Sequence, residues 1–158
     1  MKKMKQQSQG GFLMAKIKQV GGRISERLIK QYDIEINNAQ GRIMFALWQK
    51  DNISINELAN KTQLKKSTLT SMLDRLENMG YIRRLRSKAD RRKILIKRTK
   101  KDQTMEKKYI EVSEEITKLF YKGFSPSEIN RFEKDLEHIL NNLIEFETNM
   151  DSTKLTDL

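Results

Sequence analysis

The chain has 158 residues, 37% hydrophobic and 34% charged, with a formal net charge of +11, one Pro, one His and no Cys. That length suits one domain with extensions and is enough to bury a core, while a single Pro and few glycines argue against a turn-rich all-β fold. Lack of Cys removes disulfides, thiol redox sensing and thiolate metal sites, and no apolar run approaches the roughly 20 residues that span a bilayer.

Residues 61–101 hold 15 Lys and Arg against 3 Asp and Glu, whereas residues 102–158 hold 7 against 13. Positive charge focused in this way suggests a polyanionic partner. A membrane-surface protein would more often spread it along one amphipathic helix beside bulky apolar residues, so nucleic acid is favoured. Met1 to Lys5, followed by Gln, Ser and Gly, lacks the apolar core of a signal peptide, and a cytoplasmic location is expected.

In chain order, residues 1–10 read as a polar, disordered tail. Leu13, Ile17, Val20, Ile24, Leu28 and Tyr32 then recur at helical spacing and define a first helix within 11–34. Gly21-Gly22 interrupts it, either as a tolerated weak spot or as a point where a second helix comes close. Asn37 or Asn38 caps a second helix whose buried stripe is Ile43, Met44, Leu47 and Trp48. Ile53-Ser54-Ile55 suits a small strand, and Ser54 with Glu57 has capping-box spacing for a short third helix to about Lys61. Thr62-Gln63 makes a turn into a fourth helix, about Lys66 to Met79.

In that fourth helix Leu69, Met72, Leu73 and Leu76 form the buried face. The opposite side presents Ser67, Ser71, Asp74 and Asn78, flanked by Thr68, Thr70 and Arg75. Gly80 terminates it. Tyr81–Arg86 and Arg92–Arg98 read as two strands joined by Ser87-Lys88-Ala89-Asp90. Thr99 with Asp102 resembles a capping box opening a helix to about Tyr121, with the seam Met105, Tyr109, Val112, Ile116 and Leu119. Ser125-Pro126-Ser127-Glu128 starts a last helix to about Glu147, with the seam Ile129, Phe132, Leu136, Ile139 or Leu140, and Leu143. Both seams repeat near 3.5 residues, as in helices lying side by side. Residues 149–158 read as a second disordered tail.

The fold class is therefore mainly α with a small β-hairpin wing: a winged helix-turn-helix over 35–100, framed by an N-terminal helix and by C-terminal helices over 101–148. Recognition of duplex nucleic acid separates phosphate neutralisation, which gives affinity, from base-edge contact, which gives specificity. Short hydroxyls at Ser67, Thr68, Thr70 and Ser71 let the fourth helix approach a major-groove floor. Lys65 and Lys66, beside the positive end of its dipole, hold phosphates, and Arg75 lies on the same side. The hairpin adds Arg83, Arg84, Arg86, Lys88, Arg91, Arg92 and Lys93, and an arginine at a hairpin tip suits the narrow minor groove. Asp90 is an acid in this basic run, and it makes sense there if it orients a neighbouring arginine.

Leu64 to Thr99, with LKKSTLTSMLDRLENMGYI followed by ADRRKILIKRT, resembles the MarR (multiple-antibiotic-resistance regulator) family of bacterial repressors. The Ser-Thr-Leu-Thr helix start, the Leu-Asp-Arg-Leu-Glu centre, the Gly-Tyr-Ile exit and Asp90-x-Arg92 carry the likeness. Asn38-Ala39-Gln40-Gly41-Arg42 and Ile55-x-Glu57-Leu58-Ala59 extend it, and it covers about residues 12–147. The resemblance implies an obligate homodimer knitted by the first and last two helices, with one winged helix per subunit. It implies a pseudo-palindromic operator on double-stranded DNA, with Ser67, Thr68, Thr70, Ser71 and Arg75 facing the major groove, and Arg92 entering the minor groove held by Asp90. Many relatives are released by small, often aromatic or anionic, ligands bound between the dimer helices and the DNA-binding lobe.

An enzyme is not expected: there is no Gly-rich phosphate loop, no metal-spaced cluster and no cofactor motif, and His138 reads as a surface or dimer-seam residue. The competing reading is a non-specific or architectural nucleic-acid-binding protein without a defined operator. The ratio of operator to bulk-DNA affinity separates the two.

Overall fold

A computed structural model describes residues 8–156, with side chains to residue 153. The expected N-terminal tail lies largely outside the described residues. Ser8 Oγ accepts the N–H of Gly10, and the first helix, α1 (Gly10–Gln31), begins there. Its second half is anchored: Ile29 is buried, Leu28 and Tyr32 pack against the core, the Ser25 hydroxyl donates to Asn38 Oδ1 at 2.6 Å, and the Gly22 carbonyl accepts from Asn38 Nδ2. Phe12, Leu13, Ile17, Val20 and Ile24 stay exposed along the helix. A Cβ added at Gly21 or Gly22 meets nothing within 4 Å, so nothing among the described residues requires glycine there by close approach.

Asn37 caps α2 (Asn38–Gln49) in a reciprocal capping box with Gln40: each residue's side-chain oxygen accepts the other's backbone N–H. The expected stripe turns inward, with Ile43, Met44 and Leu47 fully buried and Trp48 partly so. Gly41 is buried for a steric reason, since a Cβ there would collide with the Tyr109 hydroxyl and ring. Gly41→Ala is expected to cost about 1–3 kcal/mol through overpacking and to lower the thermal midpoint. An unchanged midpoint would show that Tyr109 is free to swing away.

Strand β1 (Ile53–Ser54) leads into α3 (Ile55–Thr62), whose Glu57 N–H donates to Ser54 Oγ. The box is half made, because the Glu57 carboxylate pairs with Lys50 at 2.8 Å. Gln63 ends α3 in the left-handed region (φ 56°) and turns the chain into α4 (Lys66–Asn78). Leu69, Leu73 and Leu76 of α4 are fully buried. Gly80, at φ +83°, closes α4 and delivers β2 (Ile82–Arg86) to its antiparallel partner β3 (Ile94–Arg98). The sheet order is β1-β3-β2, with Ile82 opposite Arg98 and Arg86 opposite Ile94. The link is therefore 87–93, longer than the four residues expected, because Arg92 and Lys93, expected in the second strand, belong with Arg91 to the loop.

Helix α5 (Asp102–Phe120) departs from expectation at its start. Thr99 does not form a capping box with Asp102. Its hydroxyl donates to the carbonyl of Gly80 instead, and the Asp102 carboxylate is buried among Trp48 and Arg98. Met105 and Val112 are buried and Tyr109 and Ile116 pack against the same core as α2 and α4, so most of this seam completes the lobe. A 3.5-residue repeat reveals one buried face; it does not say what covers it.

The chain forms two compact units divided between Ile116 and Thr117, inside α5. In the second, Phe120, Tyr121, Phe124 and Phe132 make a ring cluster with centroids 4.9–6.3 Å apart. Ser125 and Glu128 form a full capping box at the start of α6 (Pro126–Thr156). Here the expected tail is corrected: residues 149–156 continue the helix, and residues 157–158 lie outside the described ones. No Gly or Pro interrupts the stretch, and Thr148, Ser152 and Thr153 return their hydroxyls to carbonyls one turn back. Ile139, Leu140, Leu143 and Phe146 remain exposed along α6.

Candidate nucleic-acid interface

Two features place the hydroxyl-bearing face of α4 outward. The buried leucines orient the helix, and the α3–α4 turn is locked by Thr62, whose hydroxyl donates to the Leu58 carbonyl and accepts from the Leu64 N–H. As a result Lys65, Lys66, Ser67, Thr68, Thr70, Ser71 and Arg75 are all exposed on one element, and no side chain caps its first turn. The structure thus brings the expected helix residues together.

The hairpin tip is ordered by short-range hydrogen bonds. Ser87 N–H donates to the Lys93 carbonyl, Asp90 N–H to Ser87 Oγ, and Lys93 N–H to the Asp90 carbonyl. Asp90 Oδ1 accepts the backbone N–H of Arg92 at 3.0 Å. The acid therefore shapes the turn that carries Arg92 and binds its backbone; no hydrogen bond or ion pair to the Arg92 guanidinium is present among the described residues. Arg86, Lys88, Arg91 and Arg92 are exposed.

Arg84 behaves differently from the other hairpin cations. Strand parity puts it on the inner face, opposite Ile96, where its guanidinium pairs with Asp74 of α4 and reaches the Thr70 carbonyl at 3.5 Å. Its backbone N–H donates to Glu77 at 2.9 Å, again on α4. Arg84 is a tie between helix and wing. Arg84→Ala is expected to lower stability by about 1 kcal/mol, the pair being half in water, and to leave the salt dependence of DNA binding unchanged. A shallower salt slope would make it a DNA contact after all.

Sequence reasoning missed the network that seats the wing. Arg98, at the end of β3, donates from Nε to Asp102 at 2.5 Å and pairs with Glu106, and its backbone N–H donates to Asp51. Trp48 Nε1 donates to the same Asp102 carboxylate at 2.9 Å. Burial raises the Asp102 carboxyl above its ordinary range despite the Arg98 and Trp48 hydrogen bonds. Burial also opposes the Arg98 charge, but its two carboxylate partners prevail and raise its pKa. Nearby, Tyr81 donates to Glu35 at 2.5 Å, Lys101 lies over its ring, and burial followed by Glu35 pushes the phenol upward. The sequence signal available was weak: a charged residue three positions after Thr99, and a Trp on a core-facing stripe.

A cleft of about 440 Å³ opens between α2, α3 and α5, lined by Arg42, Phe45, Gln49, Lys61, Tyr109 and Ser113. Among the described residues no cluster of three His, Asp or Glu could hold a metal, and no helix is long and apolar enough to cross a membrane.

The sequence model of the MarR family matches residues 36–94, from the approach to α2 to the first residue of β3, and so takes in both the exposed helix and the wing. The match covers a little over a third of the chain, and over that stretch the chain resembles the MarR family. The organic hydroperoxide resistance transcriptional regulator of Bacillus subtilis is 29% identical over 93 residues, 56% of this chain and 63% of that protein. The chain spans about a third to under two thirds of the length of the curated relatives it first matches. These relatives are transcriptional regulators. Among solved structures, Bordetella bronchiseptica BpsR, studied for regulation of its DNA binding by 6-hydroxynicotinic acid, superposes with a TM-score of 0.76 at 22% identity, covering 87% of this chain and 96% of that one. A mutant of Escherichia coli MarR complexed with operator DNA gives 0.72 at 24% identity, covering 82% and 92%. At such identities the likeness shows a shared winged-helix MarR fold.

Proposed function

We propose that this protein is a MarR-family, sequence-specific double-stranded DNA-binding regulator, acting as a cytoplasmic homodimer that represses transcription from a pseudo-palindromic operator. The observation that carries the reading is the pairing, on one lobe, of an exposed hydroxyl-faced α4 with an ordered basic hairpin whose tip arginine is free. Arg84 and Asp74 hold the two in fixed relation, so base readout and minor-groove contact act as one rigid unit. The E. coli relative complexed with operator DNA supports the use of this fold on an operator.

The exposed apolar residues of α1 and α6 support the dimer, since stripes of this kind mark interaction surfaces. Light scattering at micromolar concentration is expected to give a dimer mass, and a monomer would contradict it. The cleft beside Tyr109 supports release by a small ligand: Arg42 and Lys61 supply charge and Phe45 and Tyr109 supply rings for an aromatic anion. The whole reading is tested by selecting bound fragments from the host genome. Fragments sharing an inverted repeat are expected; fragments with no common motif would favour a non-specific architectural role.

A further inference from the structure

The outer face of the wing sheet carries charge that the proposed groove contacts leave unused. Arg83 of β2 stands directly opposite Lys97 of β3, so two cations share one face of an antiparallel pair. Like charges in that position repel and destabilise the sheet unless something neutralises them. Both are exposed, and among the described residues neither has a carboxylate partner. They line an open groove of about 750 Å³ with Lys100, Lys101, Leu85 and Glu77. Lys101 is already held by the Met79 carbonyl and Glu35. The Glu77 carboxylate accepts the Arg84 N–H and so is also engaged. What remains is an excess of positive charge, Arg83, Lys97 and Lys100 against the one Glu77 carboxylate, beside the half-exposed Leu85.

We infer that this outer wing face binds the phosphodiester backbone of operator-flanking duplex, extending the DNA contact outward from the hairpin tip. The face is continuous with the wing that carries Arg92, its charge is complementary to DNA, and its groove accepts a strand edge, with Leu85 against the sugars. The contact reads no bases; it adds affinity and lengthens the footprint. The inference rests on the proposal that the wing docks on DNA.

The test uses the full chain, the operator recovered by genomic selection, and two duplexes: one limited to the inverted repeat and its minor-groove flanks, the other extended by about one helical turn at each end. The wild-type protein is expected to bind the longer duplex about tenfold more tightly, with a log–log salt slope steeper by about two to four. Lys97→Ala/Lys100→Ala is expected to bind the short duplex as the wild type does and to lose both the length-dependent gain and the extra slope. Its thermal midpoint is expected to hold or rise, because the substitution relieves a repulsive pair. A double variant that keeps the gain overturns the inference while leaving the operator reading intact. Wild-type failure on both duplexes overturns the operator reading itself, and the inference with it. Self-association of the DNA-free protein that the double variant abolishes also overturns it, by giving the face to the acidic last helix of another copy.

Discussion

Arg92→Ala is expected to weaken operator binding by about 10–100-fold or more and to flatten the salt dependence by about one phosphate-equivalent per subunit. The size of the effect follows from the tip's geometry. Residues 87–93 are braced by four internal hydrogen bonds involving Ser87, Asp90, Arg92 and Lys93, so little conformational entropy is lost when the tip enters a groove. Arg92 itself is exposed and makes no ion pair among the described residues, so its full charge is available. Fluorescence titration at several salt concentrations reads both quantities; unchanged affinity and slope would show that the wing stays off the DNA. Asp90 separates two accounts of the tip. Because its side chain accepts a backbone N–H, Asp90→Asn is expected to keep the turn and to bind at least as tightly, having lost a negative charge, whereas Asp90→Ala weakens binding. Weakening by Asn equal to that by Ala would mean that charge, not the turn, is what Asp90 supplies.

Asp102→Ala is expected to destabilise the protein by about 3–5 kcal/mol, the largest stability effect in the lobe. Asp102 is fully buried, and removing it leaves Arg98, itself only one-fifth exposed, with one carboxylate partner and leaves the indole N–H of Trp48 without an acceptor. The loss is structural, since Asp102 fastens α5 to the end of β3 and to α2. Chemical denaturation measures it; a cost under about 1 kcal/mol would mean that water or a neighbour takes over its hydrogen bonds. The pH dependence has a definite sign. The folded pKa of Asp102 lies above its unfolded value, so the folded state holds the proton more tightly. Stability relative to Asp102→Asn is expected to rise as pH falls through that raised pKa, to level off below the ordinary carboxylate range, and to be lost again as pH rises. The opposite slope would mean that the Arg98 pair outweighs burial.

Features set by local pattern were readable from the residues alone. The leucines at 69, 73 and 76 fix which side of α4 faces out, and Asn37, Ser54, Gly80 and Ser125 punctuate the helices where their side chains or backbone freedom dictate. Arg84 shows what composition leaves out. In a basic run it resembles its neighbours, and only the alternation from Ile82 puts it on the inner face, where Asp74 waits ten residues earlier. The pairing of Trp48 with Asp102 spans 54 positions, and Asp102 also fitted a local capping pattern with Thr99, which concealed the long-range role. Helix α6 runs past Glu147 with no Gly or Pro to stop it, its Thr and Ser hydroxyls bonding to carbonyls one turn back, although the intrinsic helix preference of these residues is low. The α5 seam was visible, but its partner, the lobe's own core, follows only from the third dimension.

This lobe is expected to distinguish one DNA sequence from others. Competition titration at fixed, near-physiological salt, with the selected operator labelled and bulk genomic DNA as competitor, measures that directly. A preference for the operator of at least about 10³-fold is expected, and near-equal affinity for the two would contradict it.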